Sequence, residues 1–223
     1  MHALYETKKL HKKEKNMNVK DSIRKRLNKS FAIISLVCSI GLVICGISLF
    51  AISSQYHNAL TNYGFAQGDI GKAMTTFSET RSALRAVIGY DDESEINSEK
   101  KNYETKKKAF EGFMQDIESK MMTKAGKEAY QQAESALNGY WTKADAILQQ
   151  GSTTDKIASS AAQHKEIDEL GPMYDEIYAS LKNIMDIKVA KGNSVQGTLN
   201  VVKYILIILT VLIIVFSVYM STH

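Results

Sequence analysis

The sequence predicts an all-α protein, an antiparallel four-helix bundle continuous with two transmembrane helices. Three observations predict it. Two uncharged apolar runs, residues 31–52 and 205–220, bracket a long stretch rich in Ala, Lys, Glu, Gln and Met. Within that stretch apolar residues recur at three- and four-residue spacing, the period of one helical face. Pro172 is the single proline, and no alternating Val, Ile or Thr run is closed by an Asn-Gly or Asp-Gly turn, so strand signals are absent.

The first run, FAIISLVCSIGLVICGISLFAI, has 22 residues without a charge. As a helix rising about 1.5 Å per residue it is long enough for a hydrocarbon layer of about 30 Å. A cleaved secretory signal would have a shorter apolar region and a small-residue cleavage site, so a retained anchor is expected. Ten Lys or Arg against three acids precede it. A basic excess in a short flank stays on the cytoplasmic side, which puts residues 1–30 inside as a basic tail and residues 31–53 across the membrane. MNVKDSIRKRLNKSF makes Met17 a natural alternative start to Met1. The second run, ILIILTVLIIVFSVYM, has Lys203 and Tyr204 at its outer edge, suited to the interface. It is the expected return span, residues 203–220, leaving 221–223 as the start of a cytoplasmic region.

Residues 54–202 then form one extracytoplasmic domain. They hold 17 basic and 21 acidic residues, so the chain's overall charge of +4 comes from the tail and nucleic acid is not an expected partner. Cys38 and Cys45 both lie in the first span, leaving the external domain without a disulfide framework.

Along the chain, one register runs from Ser35 through Leu42, Tyr56, Ile70, Phe77 and Thr80 to Val87, which predicts a single helical rod over 31–90. GYDDESEIN ends it, with Asn97 or Ser98 as cap of the next helix. Helix two, 98–121, carries Tyr103, Phe110, Phe113, Ile117 and Met121 on one face, and Lys106, Lys107 and Lys108 as a solvated patch. Thr123 caps helix three, with Gly126 as a local breaker. That helix runs to about Gln149 through Tyr130, Ala133, Leu137, Tyr140, Ala144 and Ile147, and Trp141 lies beside the stripe. Gly151 stops it and Ser152 or Thr154 caps the fourth helix. There Ile167, Leu170, Tyr174, Ile177, Leu181 and Ile184 form the stripe, Gly171-Pro172 predicts a kink, and a polar stretch with Lys188 and Lys191 leads to the second span. Four such helices with short turns pack most simply as an antiparallel bundle.

No nucleophile and base, metal-ligand set or phosphate cradle is recognisable. His57 and His164 have no partner at metal-ligand spacing, and AGK at 125–127 lacks the upstream glycine of a phosphate loop. The reading is therefore not an enzyme, with no cofactor and no metal. One constellation remains, TRSALRAVIG, where Arg81 and Arg85 stand one helical turn apart on the same side. Two guanidinium forks on one face suit a carboxylate; the alternative is two solvated arginines pairing with acids such as Glu79.

Layout and residues together resemble the sensing half of bacterial methyl-accepting chemotaxis receptors. The most specific stretch, Thr80-Arg81-Ser82-Ala83-Leu84-Arg85, is similar to the first-helix segment in which arginines at the dimer interface hold an amino-acid carboxylate. The resemblance implies Arg81, Arg85, Thr80 and Tyr174 as ligand-binding residues, with Gln163 as a further fourth-helix candidate. The position five residues before Arg81, an arginine in the family, is Thr76 here. It also implies a homodimer, a small extracellular ligand, and a cytoplasmic kinase and adaptor reached through a HAMP linker and signalling coiled coil beyond residue 223. The alternatives are the sensor half of a histidine kinase or cyclic-nucleotide cyclase, and a structural membrane protein whose bundle binds a protein.

Overall fold

The computed structural model describes the backbone of residues 2–222 and the side chains of residues 23–220. The basic side chains of the tail up to residue 22 lie outside the described ones. Among the described residues the chain is helical with no strand, in two compact units: Gln55–Gly197, and the residues up to Ser54 together with those from Thr198 on.

The smaller unit pairs the apolar lengths of α1 (His2–Ala59) and α6 (Gly171–Thr222). Both helices are long and apolar enough to cross a membrane, and their large side chains, Phe50, Leu42 and Ile205 among them, face outward. Gly41 lets the pair approach, because a methyl group there would strike Ile213. Cys38 Sγ lies 3.7 Å from Ser217 Oγ, and neither cysteine forms a disulfide.

The larger unit is the four-helix bundle. Its first helix follows α1 through a π-helical turn, Leu60–Gly64, into α2 (Phe65–Gly89). Here the expected register holds: Ala66, Ile70, Ala73, Phe77, Thr80, Leu84 and Val87 are all buried. Tyr90 turns extended and α3 (Glu93–Ser119) begins under an Asp92 cap, whose carboxylate accepts from the amides of Ser94 and Glu95. The start is thus five residues earlier than expected, since Asp92, already extended, reaches the orphan amides before Asn97 or Ser98 can.

Thr123 caps α4 (Lys124–Gly151) as expected, accepting from Gly126 N. Gly126 does not break the helix but lies in its first turn, where a side chain would press on Thr123 Oγ1 and Met121 Sδ. Gly151 is the last residue of α4, and its position requires glycine for space rather than for backbone angle. A Cβ there would lie 2.5 Å from Ile88 Cγ2 and 2.6 Å from Ala162 Cβ. The next cap is Asp155, not Ser152 or Thr154; it accepts from Ile157 N and opens α5 (Lys156–Lys165).

The disruption expected at Gly171-Pro172 takes the form of a second π-helical turn, Glu166–Leu170, which joins α5 to α6 and sits just before the proline. In an α-helix the Pro172 ring would collide with the carbonyl four residues back, and it has no N–H to give. The wider turn, closed by Gly171 N donating to Glu166 O, relieves that clash.

The core is built on aromatic rings. Phe77 lies at the centre, 5.3 Å from Phe110, 5.0 Å from Tyr140, 5.8 Å from Trp141 and stacked at 5.0 Å on Tyr174. Burial, assisted by Asp145, pushes the Tyr103 hydroxyl up in pKa, and that hydroxyl donates to Asp145 Oδ1 at 3.1 Å. Two of the lysines expected to form a solvated patch bridge helices instead: Lys106 to Glu79 at 2.7 Å and Lys107 to Asp145 at 2.9 Å.

Candidate functional site

Arg81 and Arg85 point the same way from α2, as their spacing requires. What they meet is Glu166, the first residue of the second π turn. Arg81 Nε donates to Glu166 Oε1 at 2.7 Å and Arg85 Nε lies 2.9 Å from Oε2. One carboxylate is split between two guanidinium groups, leaving the triad a net charge of +1. Glu166 is 2% exposed, the Arg81 side chain 15% and the Arg85 side chain 53%, so the group is dry at the carboxylate and wet at Arg85.

Tyr174 closes the inner side. Its ring centroid is 4.4 Å from the Arg81 guanidinium carbon, within the range where a cation is drawn to an aromatic face. Its hydroxyl is 2.6 Å from Ser78 Oγ, and Gly171 brings the α6 backbone close to Arg81. Tyr140 lies within electrostatic reach of the triad. Burial pushes its hydroxyl up in pKa, and the positive charge of Arg81 opposes that shift.

The four residues expected to bind ligand therefore fall at one level of the bundle in different settings. Arg81 and Arg85 hold Glu166, and Tyr174 lies on Arg81. Thr80 is buried, its hydroxyl donating to Thr76 O one turn back at 2.7 Å. Gln163 is turned elsewhere, donating to Ile88 O and Ser159 Oγ, where it covers the end of α2. Glu79, the acid considered as an arginine partner, is held by Lys106.

Two charged residues are buried where the sequence did not place a core residue, one unremarked and one expected in the polar stretch before the second span. Glu166 is the former, and Lys188 on α6 is the latter. Lys188 is 3% exposed. Its ammonium donates to Asn62 O at 3.0 Å in the first π turn and to Lys120 O at the end of α3. Burial, with help from the Lys120 charge, lowers its pKa to about 8. Both lie on the buried stripe Ser159, Ala162, Glu166, Leu170, Ile177, Leu181, Ile184, Lys188. That three- and four-residue register was the available signal. Ile167, which apolarity had placed in the stripe, is 59% exposed.

The bundle and its flanks match a family model over residues 16–202, described as a four helix bundle sensory module for signal transduction. The chain belongs to this family. No curated protein gives a significant match. The sensory module is that of methyl-accepting chemotaxis receptors, and two helices of the chain are long and apolar enough to cross a bilayer.

Proposed function

We propose that the chain is the sensing part of a transmembrane chemoreceptor that binds a small extracellular ligand bearing a carboxylate, an amino acid or a related acid. Residues 54–202 lie outside the cytoplasm, as the basic flank of the first span implies. Two copies pack their first helices together, and Arg81, Arg85, Thr80 and Tyr174 contribute to the ligand site. Binding favours one of two helix arrangements and moves the fourth helix and its span by ~1–2 Å, the scale of interface helix shifts. A cytoplasmic signalling region reads the movement and controls a kinase through its adaptor.

The observation that carries this reading is the arginine pair on Glu166. The two guanidinium groups are spaced and oriented to hold a single carboxylate, and Arg85 brings that capacity to the surface. The test is thermal unfolding of the full chain in nanodiscs against a panel of amino acids and dicarboxylates. At least one should raise the midpoint, and Arg85→Ala should remove that rise while leaving the unliganded protein folded. Ligand stabilisation undiminished in Arg85→Ala and in Arg81→Ala rejects the site. Protease added to intact cells should cut within 54–202; protection of that segment with an amino end reachable from outside rejects the topology.

A further inference from the structure

Resting on the reading of Arg81 and Arg85 as a carboxylate seat, we infer that Glu166 is its tethered occupant, and that a ligand carboxylate enters by displacing it. The geometry has three parts. Each oxygen of Glu166 takes one arginine Nε, the arrangement that an incoming carboxylate would reproduce. Of the three side chains Arg85 is the most exposed, at 53% against 15% for Arg81 and 2% for Glu166, so displacement proceeds from there inward. The occupant stands at the head of a π turn immediately before Pro172, where the regular i→i−4 ladder is already interrupted and the backbone has less to lose by rearranging than in an unbroken helix.

The tether sets specificity. A side chain fixed beside its partners acts at a high effective concentration, in the millimolar range or above for a short link. A lone monocarboxylate, which offers only what Glu166 already supplies, competes poorly against it. A successful ligand must add a second anchoring group, so the class selected is dicarboxylates and amino acids rather than simple fatty or keto acids. Displacement also frees the two ion pairs, Arg81–Glu166 and Arg85–Glu166, that tie α2 to the π turn. Ligand occupancy is thereby converted into a change where the fourth helix is discontinuous, upstream of its run to the membrane.

Acetate is the probe that separates seat from sensor, because it asks only whether the arginines accept a free carboxylate once the tethered one is gone. In Glu166→Ala, sodium acetate at tens of millimolar should raise the unfolding midpoint of the full chain in nanodiscs by several degrees over sodium chloride of equal ionic strength. The wild type, where the tethered carboxylate competes, should show a clearly smaller difference, and Glu166→Ala/Arg85→Ala should lose it. Glu166→Gln keeps the side-chain volume and serves if the alanine variant does not fold: by calorimetry it should bind succinate at least tenfold tighter than the wild type. No acetate effect on Glu166→Ala, or succinate binding to Glu166→Gln that is equal, weaker or absent, overturns the tethered occupant. Acetate rescue in a chain whose wild type responds to no amino acid or dicarboxylate leaves the seat established and overturns only the sensor reading on which it was based.

Discussion

The guanidinium of Arg81 lies on the face of Tyr174, 4.4 Å from the ring centroid, while the hydroxyl of the same tyrosine meets Ser78 at 2.6 Å. One side chain from α6 thus binds two residues of α2 by different chemistry and stacks on a third, Phe77. The two contributions separate by substitution. Tyr174→Phe keeps the ring and loses the hydroxyl contact, which should cost about 1 kcal/mol. Tyr174→Ala loses ring burial, stacking and the cation contact as well, and should cost about 3 kcal/mol. Urea unfolding of the full chain in nanodiscs checks both, and equal costs for the two variants would show that the ring contributes nothing.

Gly151 and Gly112 should respond in opposite directions to alanine. At Gly151 the added methyl meets Ile88 and Ala162 at 2.5 and 2.6 Å, both buried and unable to retreat, so overpacking should cost about 1–3 kcal/mol. Gly112 sits on the exposed side of α3 with nothing within 4 Å of its would-be Cβ. There alanine should stabilise by about 0.5–1 kcal/mol, through helix propensity and a less flexible unfolded chain. Midpoints from the same urea titration, one lower and one higher than wild type, are the expected result.

The caps give a third test. Asp92→Ala and Asp155→Ala remove side chains that accept helix-start amides and should each cost about 1 kcal/mol. Asn97→Ala and Thr154→Ala, at the positions that sequence spacing favoured, should each change stability by less than about 0.5 kcal/mol, as surface changes do. Thermal unfolding of the four variants side by side would expose a wrong assignment as a reversal of that order.

These caps also show where the sequence was legible and where it was not. The stripe of α2 and that of α4, from Tyr130 to Ile147, are buried as their period requires, because a helix with one apolar face has one way to bury it. Loop ends were harder. Asp92 and Asn97 are both competent caps, and the choice is made by where Tyr90 turns extended, a backbone event with no residue signature of its own. On the fourth helix the apolar pattern misled: it placed Ile167 in the stripe, whereas the buried position is Glu166, a charge whose burial is costly without a partner. The partners, Arg81 and Arg85, are 85 and 81 positions away in sequence. The arginine spacing was readable, but its internal carboxylate needed the bundle to be closed.

Lys188 yields the pH dependence. Its pKa falls from the usual lysine range to about 8, burial being the larger cause and the Lys120 charge the lesser. At pH 7 the amine is protonated both folded and unfolded, and the cost of burying the ammonium is borne in full. Between about 8 and the ordinary value near 10.5 the unfolded chain keeps a proton that the folded chain has released. Stability therefore rises with pH across that window. Tyrosines act in the opposite sense and later: Tyr130, pushed up to about 12 by burial and by Glu118 and Glu134, favours the unfolded state only above its ordinary value of 10.0. Lys188→Met should be less stable at pH 7, because Asn62 O and Lys120 O each lose a donor, at about 1–3 kcal/mol for a carbonyl left unsatisfied. It should also lack the rise between pH 8 and 9.5. Urea midpoints of wild type and variant at half-unit steps over that range check the difference, and parallel curves would mean that Lys188 does not titrate there.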